Sequence, residues 1–119
     1  ELVVAEITTW LSTQVAKFDL VLICDTLIYF GDLNQVIIPS TQHLRPGGWI
    51  AMTVEKGNQR PFVLTDSGRY CHTEQHLREV AQASGLVVVS IEEEFLRNEY
   101  GRAVTGLIAL LRRPPGECF

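Results

Sequence analysis

The chain has 119 residues, 46% of them hydrophobic and 20% charged, with a formal net charge of −4 and three cysteines. That length sets a single domain with a sizeable core as the prior, and the acidic balance weighs against a nucleic-acid partner, which would want a basic face. No apolar run approaches the roughly 20 residues of a membrane span, no basic-then-apolar leader opens the chain, and an odd cysteine count without framework spacing suits a reducing, cytoplasmic setting.

Leu2 to Ser12 is the first predicted element. Val3, Ile7, Trp10 and Leu11 recur at helical spacing with Glu6 and Thr9 between them, the pattern of an amphipathic helix that covers a sheet. The absence of an initiator methionine suggests an excised piece of a longer protein. Phe18 to Cys24 is a nearly unbroken apolar run of strand length, closed by Asp25, and suits a strand covered on both faces. Asp32 is then placed to cap a helix, with Gln35 completing a box-like signal and Leu33, Val36, Ile37 and Leu44 on one face. Pro39 opposes that helix and predicts a kink or a break. Arg45-Pro46-Gly47-Gly48 stops it, and Trp49 to Val54 reads as a second strand at once. A right-handed strand–helix–strand crossover is expected.

Lys56 to Pro61 is polar and rich in breakers, with Phe62-Val63-Leu64 a short extended piece after it. Thr73 reads as the cap of a third helix, with Leu77, Val80 and Ala81 as its buried stripe and Gly85 as its end. Leu86 to Ile91 is another apolar strand. Glu92 to Arg102 reads as a strand tail and connection, and Ala103 to Leu111 as the last strand. The last two strands are joined without a helical pattern, so they are expected to pair antiparallel. Residues 1–113 form the domain in this reading, and 114–119 a flexible tail. The expected fold is α/β: a partial Rossmann-like sheet of four strands, the last reversed, with helices on both faces and one raw edge.

Several of these features together carry a resemblance. They are Phe18-Asp19-Leu20-Val21 running into Asp25, Tyr29-Phe30-Gly31-Asp32-Leu33, and Leu44-Arg45-Pro46-Gly47-Gly48 before a strand. Gly68 to Thr73, Ala83-Ser84-Gly85-Leu86 and the strand Gly106 to Arg112 extend it. The chain resembles the C-terminal half of a class I S-adenosylmethionine-dependent methyltransferase, most of all the bacterial methyltransferase domains found behind tetratricopeptide repeats. The resemblance implies that Phe18–Cys24, Trp49–Val54, Leu86–Ile91 and Ala103–Leu111 are the fourth to seventh strands of a seven-stranded sheet, lying in the order 4-5-7-6. It also implies S-adenosylmethionine as cofactor in the intact protein and an unidentified methyl acceptor. The N-terminal half of the domain, with or without repeats, would be a partner. The family's glycine-rich cofactor loop and the acidic residue after its second strand find no match here, and Gly47-Gly48 precedes a strand rather than opening a helix.

The same resemblance selects the candidate site. Ligands of open α/β sheets sit beyond the carboxyl ends of the strands at a switch point, which places Asp25, Thr26 and Tyr29 against the cofactor. Asp25 would orient the cofactor amine or the nucleophile, or else simply cap the next short helix. Tyr29 and Phe30 would contact ligand or seat the loop. Tyr70 and His72 lie where a substrate lid is expected, Tyr70 toward the acceptor and His72 as a general base or an ordinary surface histidine. Cys71, His72 and His76 cluster, but the glutamate of His72-Thr73-Glu74-Gln75-His76 falls one position late for the zinc-protease motif, so no metal is expected. Glu92-Glu93-Glu94 reads as a solvated patch, and Cys24 as a small buried hydrophobe. A non-enzymatic interaction module derived from the same fold is the alternative. A hydrolase ranks last, because the chain has no G-x-S-x-G turn.

Overall fold

The computed structural model describes residues 2–116 of the chain. Its elements run α1 (Ile7–Thr13), β1 (Phe18–Ile23), a 3-10 turn (Leu27–Tyr29), α2 (Asn34–Gln42), β2 (Leu44–Lys56), β3 (Phe62–Leu64), β4 (Tyr70–His72), α3 (Glu74–Ala83), β5 (Val87–Glu99) and β6 (Arg102–Arg112).

The sheet is mixed and centred on β2. Its middle, Ile50 to Met52, pairs in parallel with Val21 to Ile23 of β1 on one side and antiparallel with Ala109 to Leu111 of β6 on the other. Its end, Glu55 and Lys56, pairs in parallel with Cys71 and His72 of β4, and β3 closes a small antiparallel ladder on β4. β5 lies outside β6, antiparallel to it and so parallel to β2. The last two strands are longer than their apolar runs suggested. Glu92 to Glu99 stays in the ladder, with a bulge between Phe95 and Arg97, and Tyr100 and Gly101 make the whole turn with φ of 51° and 74°. Positive φ at both central residues matches the twist of a tight hairpin.

Local signals explain most of the helix boundaries. α3 starts at Thr73, whose hydroxyl oxygen accepts the His76 N–H at 3.1 Å, and ends at Gly85 with φ of 73°. Asp32 accepts the Asn34 N–H at 3.0 Å at the start of α2, which then runs continuously through Pro39 to Gln42. The predicted break at Pro39 is absent. Tertiary packing holds that helix, because Leu33, Val36 and Ile37 are all buried against the sheet. α1 begins later than expected, at Ile7, where the Glu6 carboxylate accepts the Thr9 N–H at 2.7 Å. The Arg113 N–H donates to Gly48 O at 2.9 Å, and the Gly47 N–H returns to Arg113 O at 3.0 Å. The rest of the expected tail, 117–119, lies outside the described residues.

The expectation of helices on both faces is corrected for α2 and α3. The core joins Ile23, Ile50, Met52, Val54, Leu107, Ala109 and Leu111 of the sheet to Val36 and Ile37 of α2 and Leu77 and Val80 of α3, so both crossover helices lie on one face. Topology requires this. The chain steps from β1 to β2 to β5 in one direction across the sheet, and right-handed crossovers taken in one direction stack their helices on the same side. α1 rests against α2 at the β1 end. The other face carries Leu20, Leu22, Val87 and Ile108, with Leu20 57% and Leu22 66% exposed. The reading of a strand covered on both faces therefore holds for only one face of β1 among the described residues.

This asymmetry predicts a contrast in stability. Ile50→Ala empties a fully buried site on the helix face and is expected to cost about 2–5 kcal/mol. Leu22→Ala on the open face should cost less than about 1 kcal/mol. Urea unfolding of the two variants measures both, and equal losses would contradict the one-sided core.

Candidate functional site

The carboxyl ends of β1 and β2 point the same way, and the loops that follow them carry the predicted site residues. β1 ends at Ile23, and Asp25 takes the left-handed conformation with φ of 53°. Aspartate tolerates that region better than most side chains, yet it still carries strain that a glycine would not. Strain of this kind at a strand end is a pointer to function. Asp25 is exposed, and the Thr26 hydroxyl turns back to donate to Cys24 O at 3.0 Å. Leu27 anchors the 3-10 turn in the core, while Tyr29 beside it stands 69% exposed. Phe30 packs against the core, so that aromatic seats the loop. Cys24 is exposed, correcting its expected burial; it follows the last paired residue of β1.

The β3–β4 ladder forms the other wall, and the sequence patterns did not reveal its second strand. Gly31 passes so close that a Cβ there would sit 3.0 Å from the Phe62 ring and 3.1 Å from the Tyr70 ring. Tyr70 is half-buried and meets Phe62 edge-on at 6.3 Å. His72 is fully buried, with Nε2 at 2.8 Å from Phe30 O and 3.1 Å from Gly31 O. Burial holds its pKa below the ordinary histidine value, against the pull of those two carbonyls. His76 is also buried, and its Nε2 accepts the Leu33 N–H at 3.2 Å. The structure thus gathers Tyr70, His72 and His76 beneath the loop, and leaves Asp25 and Tyr29 exposed on top of it.

A chain of ion pairs fastens the β5–β6 hairpin to the same end of the sheet. Arg97 reaches Glu55 at 2.8 Å and Glu99 at 3.2 Å, and Arg69 reaches Glu99 at 2.7 Å. The hydrogen bond that Arg97 donates to the Glu55 carboxylate raises its pKa further. Lys56 pairs with Glu93, so the middle of the acidic run is engaged rather than merely solvated. An open groove of about 940 Å³ lies between this hairpin and β3–β4, with Glu55, Asp66, Glu99 and Arg102 on its walls. A second, more apolar groove of about 450 Å³ runs along the free edge of β1, from Trp10 and Phe18 to Thr26. Periodicity did not show the Arg69–Glu99, Lys56–Glu93 and Arg97–Glu55 pairs, which join residues 30, 37 and 42 positions apart.

No family model matches the chain, and no curated protein sequence does. Solved structures do match. A methyltransferase from Methanosarcina mazei superposes with a TM-score of 0.69 at 14% identity, over 89% of this chain and 65% of that one. The N-methyltransferase NodS from Bradyrhizobium japonicum, solved with S-adenosyl-L-homocysteine, gives 0.65 at 18% identity over 92% and 52%. The fold is that of the S-adenosylmethionine-dependent methyltransferases. The [4+2]-cyclase SpnF shares it, with a TM-score of 0.69 at 15% identity over 84% of this chain and 51% of that one. The chain therefore spans about half to two thirds of the length of these methyltransferase-fold proteins. No described helix is long and apolar enough to cross a membrane.

The strain at Asp25 separates fold from site. Asp25→Gly relieves the left-handed backbone and should leave stability unchanged or raise it by about 1 kcal/mol, whereas Asp25→Val should lower it by about 1–3 kcal/mol. Thermal unfolding of the two variants decides; equal effects would contradict the strained geometry.

Proposed function

We infer that this chain forms the acceptor-side half of an S-adenosylmethionine-dependent methyltransferase site. The observation that carries the reading is Asp25, an exposed and strained carboxylate at the carboxyl end of the strand whose other edge is free. In open α/β sheets the ligand sits where the order of strands reverses, and a further strand on that edge of β1 would create such a point. The groove along the edge is apolar and reaches Thr26, which suits a missing neighbour, and the longer neighbours in the same fold supply the precedent. The N-terminal half of such a domain is the proposed partner, joined to tetratricopeptide repeats in the bacterial proteins that this sequence resembles.

The residues present fit one side of the cofactor. The carboxylate of Asp25 suits an amino group, and the open ring and hydroxyl of Tyr29 suit the thioether end or the acceptor. The bound cofactor would supply a methyl group on a sulfonium, open to in-line attack. The chain's task is then to orient the acceptor and exclude water, and Tyr70 is the side chain proposed to face the acceptor. His72 is the expectation that fits least. A ring with no exposed surface, bound to two backbone carbonyls, holds the loop in place and does not meet an acceptor's proton. No side chain of β2 substitutes for the glycine-rich loop, because Gly47 and Gly48 are paired to the chain beyond β6.

The bare sheet face favours a second reading, a non-enzymatic module of the same fold that docks a partner there. Calorimetric titration of S-adenosylmethionine separates the two. The chain by itself should bind more weakly than about 1 mM, while the native product containing it binds at least a hundredfold tighter and loses that affinity with Asp25→Ala. Submillimolar binding by the chain alone would contradict the shared site. Binding by neither would leave the docking module.

A further inference from the structure

The two buried histidines do more than fill space, and their hydrogen bonds dictate opposite tautomers. His72 lies on β4 and His76 in the first turn of α3, with their rings stacked 6.0 Å apart and 14° from parallel. One nitrogen of His72 faces two carbonyls, Phe30 O and Gly31 O, so Nε2 must carry the proton. Its Nδ1 is then a bare acceptor, and it is buried without a partner. His76 is the reverse. Its Nε2 receives the Leu33 N–H, so that nitrogen needs its lone pair and the proton belongs on Nδ1. Both rings are therefore neutral in this geometry. A proton added at Nε2 of His76 sets two N–H groups against each other at the first turn of α2.

Charged groups act on both rings. Asp32 from the loop and Glu79 from the next turn of α3 face His76 and favour its charged form. Glu55 of β2 is the carboxylate that acts on His72, and Lys56 beside it is turned to Glu93. β3 contributes only Phe62, edge-on to His76 at 5.5 Å, and Tyr70 of β4 stands 6.5 Å from His72. α2 carries no ionisable side chain. Burial outweighs the carboxylates at both rings and keeps each pKa below the ordinary 6.5.

We propose that His72 and His76 form a pH-sensitive latch on the Phe30–Leu33 loop, closed while both rings are neutral and released when His76 takes up a proton. The latch holds the segment that leads from the exposed Asp25 and Tyr29 into α2, so its release loosens the wall they stand on. This proposal stands on the hydrogen bonds and does not depend on the methyltransferase reading. The sign follows from the lowered native values. The unfolded or opened chain binds more protons in the window below 6.5, so the closed form is fully held above that pH and lost progressively as the pH falls toward the native values.

Amide hydrogen exchange of the chain between about pH 7.5 and 5, corrected for intrinsic rates, tests the latch. Exchange across residues 30–34 should accelerate on acidification, up to about tenfold per pH unit for each proton taken up, while Ile50 to Val54 stays protected. His76→Gln offers an acceptor oxygen that does not titrate, and it should keep the neutral protection while abolishing the acid response. A flat profile in the native chain, or an undiminished response in His76→Gln, would overturn the proposal. Nitrogen-15 spectra of the unmodified chain decide independently of any variant. Nε2–H on His72 and Nδ1–H on His76 are expected, and the opposite tautomer at His76 overturns the latch.

Discussion

Everything in this structure hangs on the lateral pairing of β2. A single strand meets β1 and β4 on one side and β6 on the other, and its inward residues Ile50, Met52 and Val54 are the centre of the core. Each fully buried aliphatic side chain of that kind contributes about 1.5–3 kcal/mol by leaving water. The same strand sets the height of the site, because β1 in parallel register with it delivers Asp25 to the end of the sheet where β4 delivers His72. A slip of one residue would turn Ile50 and Met52 to the open face and bury Ala51 and Thr53 in their place, so the register is strongly specified.

A second consequence of topology is the one-sidedness of the molecule. With both crossovers taken in the same direction, α2 and α3 share a face and the reverse of the sheet keeps its apolar residues in water. An exposed apolar strip of this kind marks a surface that expects a neighbour. The free edge of β1 and the exposed face adjoin at Leu20 and Leu22, so one added body could cover both. A body that buries the face would also close the groove beside Trp10, Phe18, Leu20 and Leu22.

Much of this was legible in the sequence, and the rest fails for identifiable reasons. Thr73, Gly85 and the apolar runs carry local chemistry, and their elements appear where they were read. The turn Tyr100–Gly101 was missed because a tyrosine at positive φ is a weak signal, although the pairing of the two strands around it was expected. Pro39 does not break α2, since buried neighbours outweigh one lost hydrogen bond. The helix side was readable in principle from crossover handedness but depends on the order of strands, which is a long-range property. His72 shows the same limit most clearly. Its place between a strand and a helix suggested an exposed base, whereas burial under Phe30 and Gly31 comes from contacts some 40 residues away. Asp25 could be placed at a strand end, but its left-handed backbone could not.

Chemical-shift mapping with S-adenosylhomocysteine at millimolar concentration tests the central claim, that the end of β1 is a ligand wall. The account predicts that perturbed amides cluster from Cys24 to Tyr29 and fade with distance from them. Perturbations centred on Glu55, Glu99 and Arg102 in the larger groove, or none even with the proposed N-terminal half present, would contradict it.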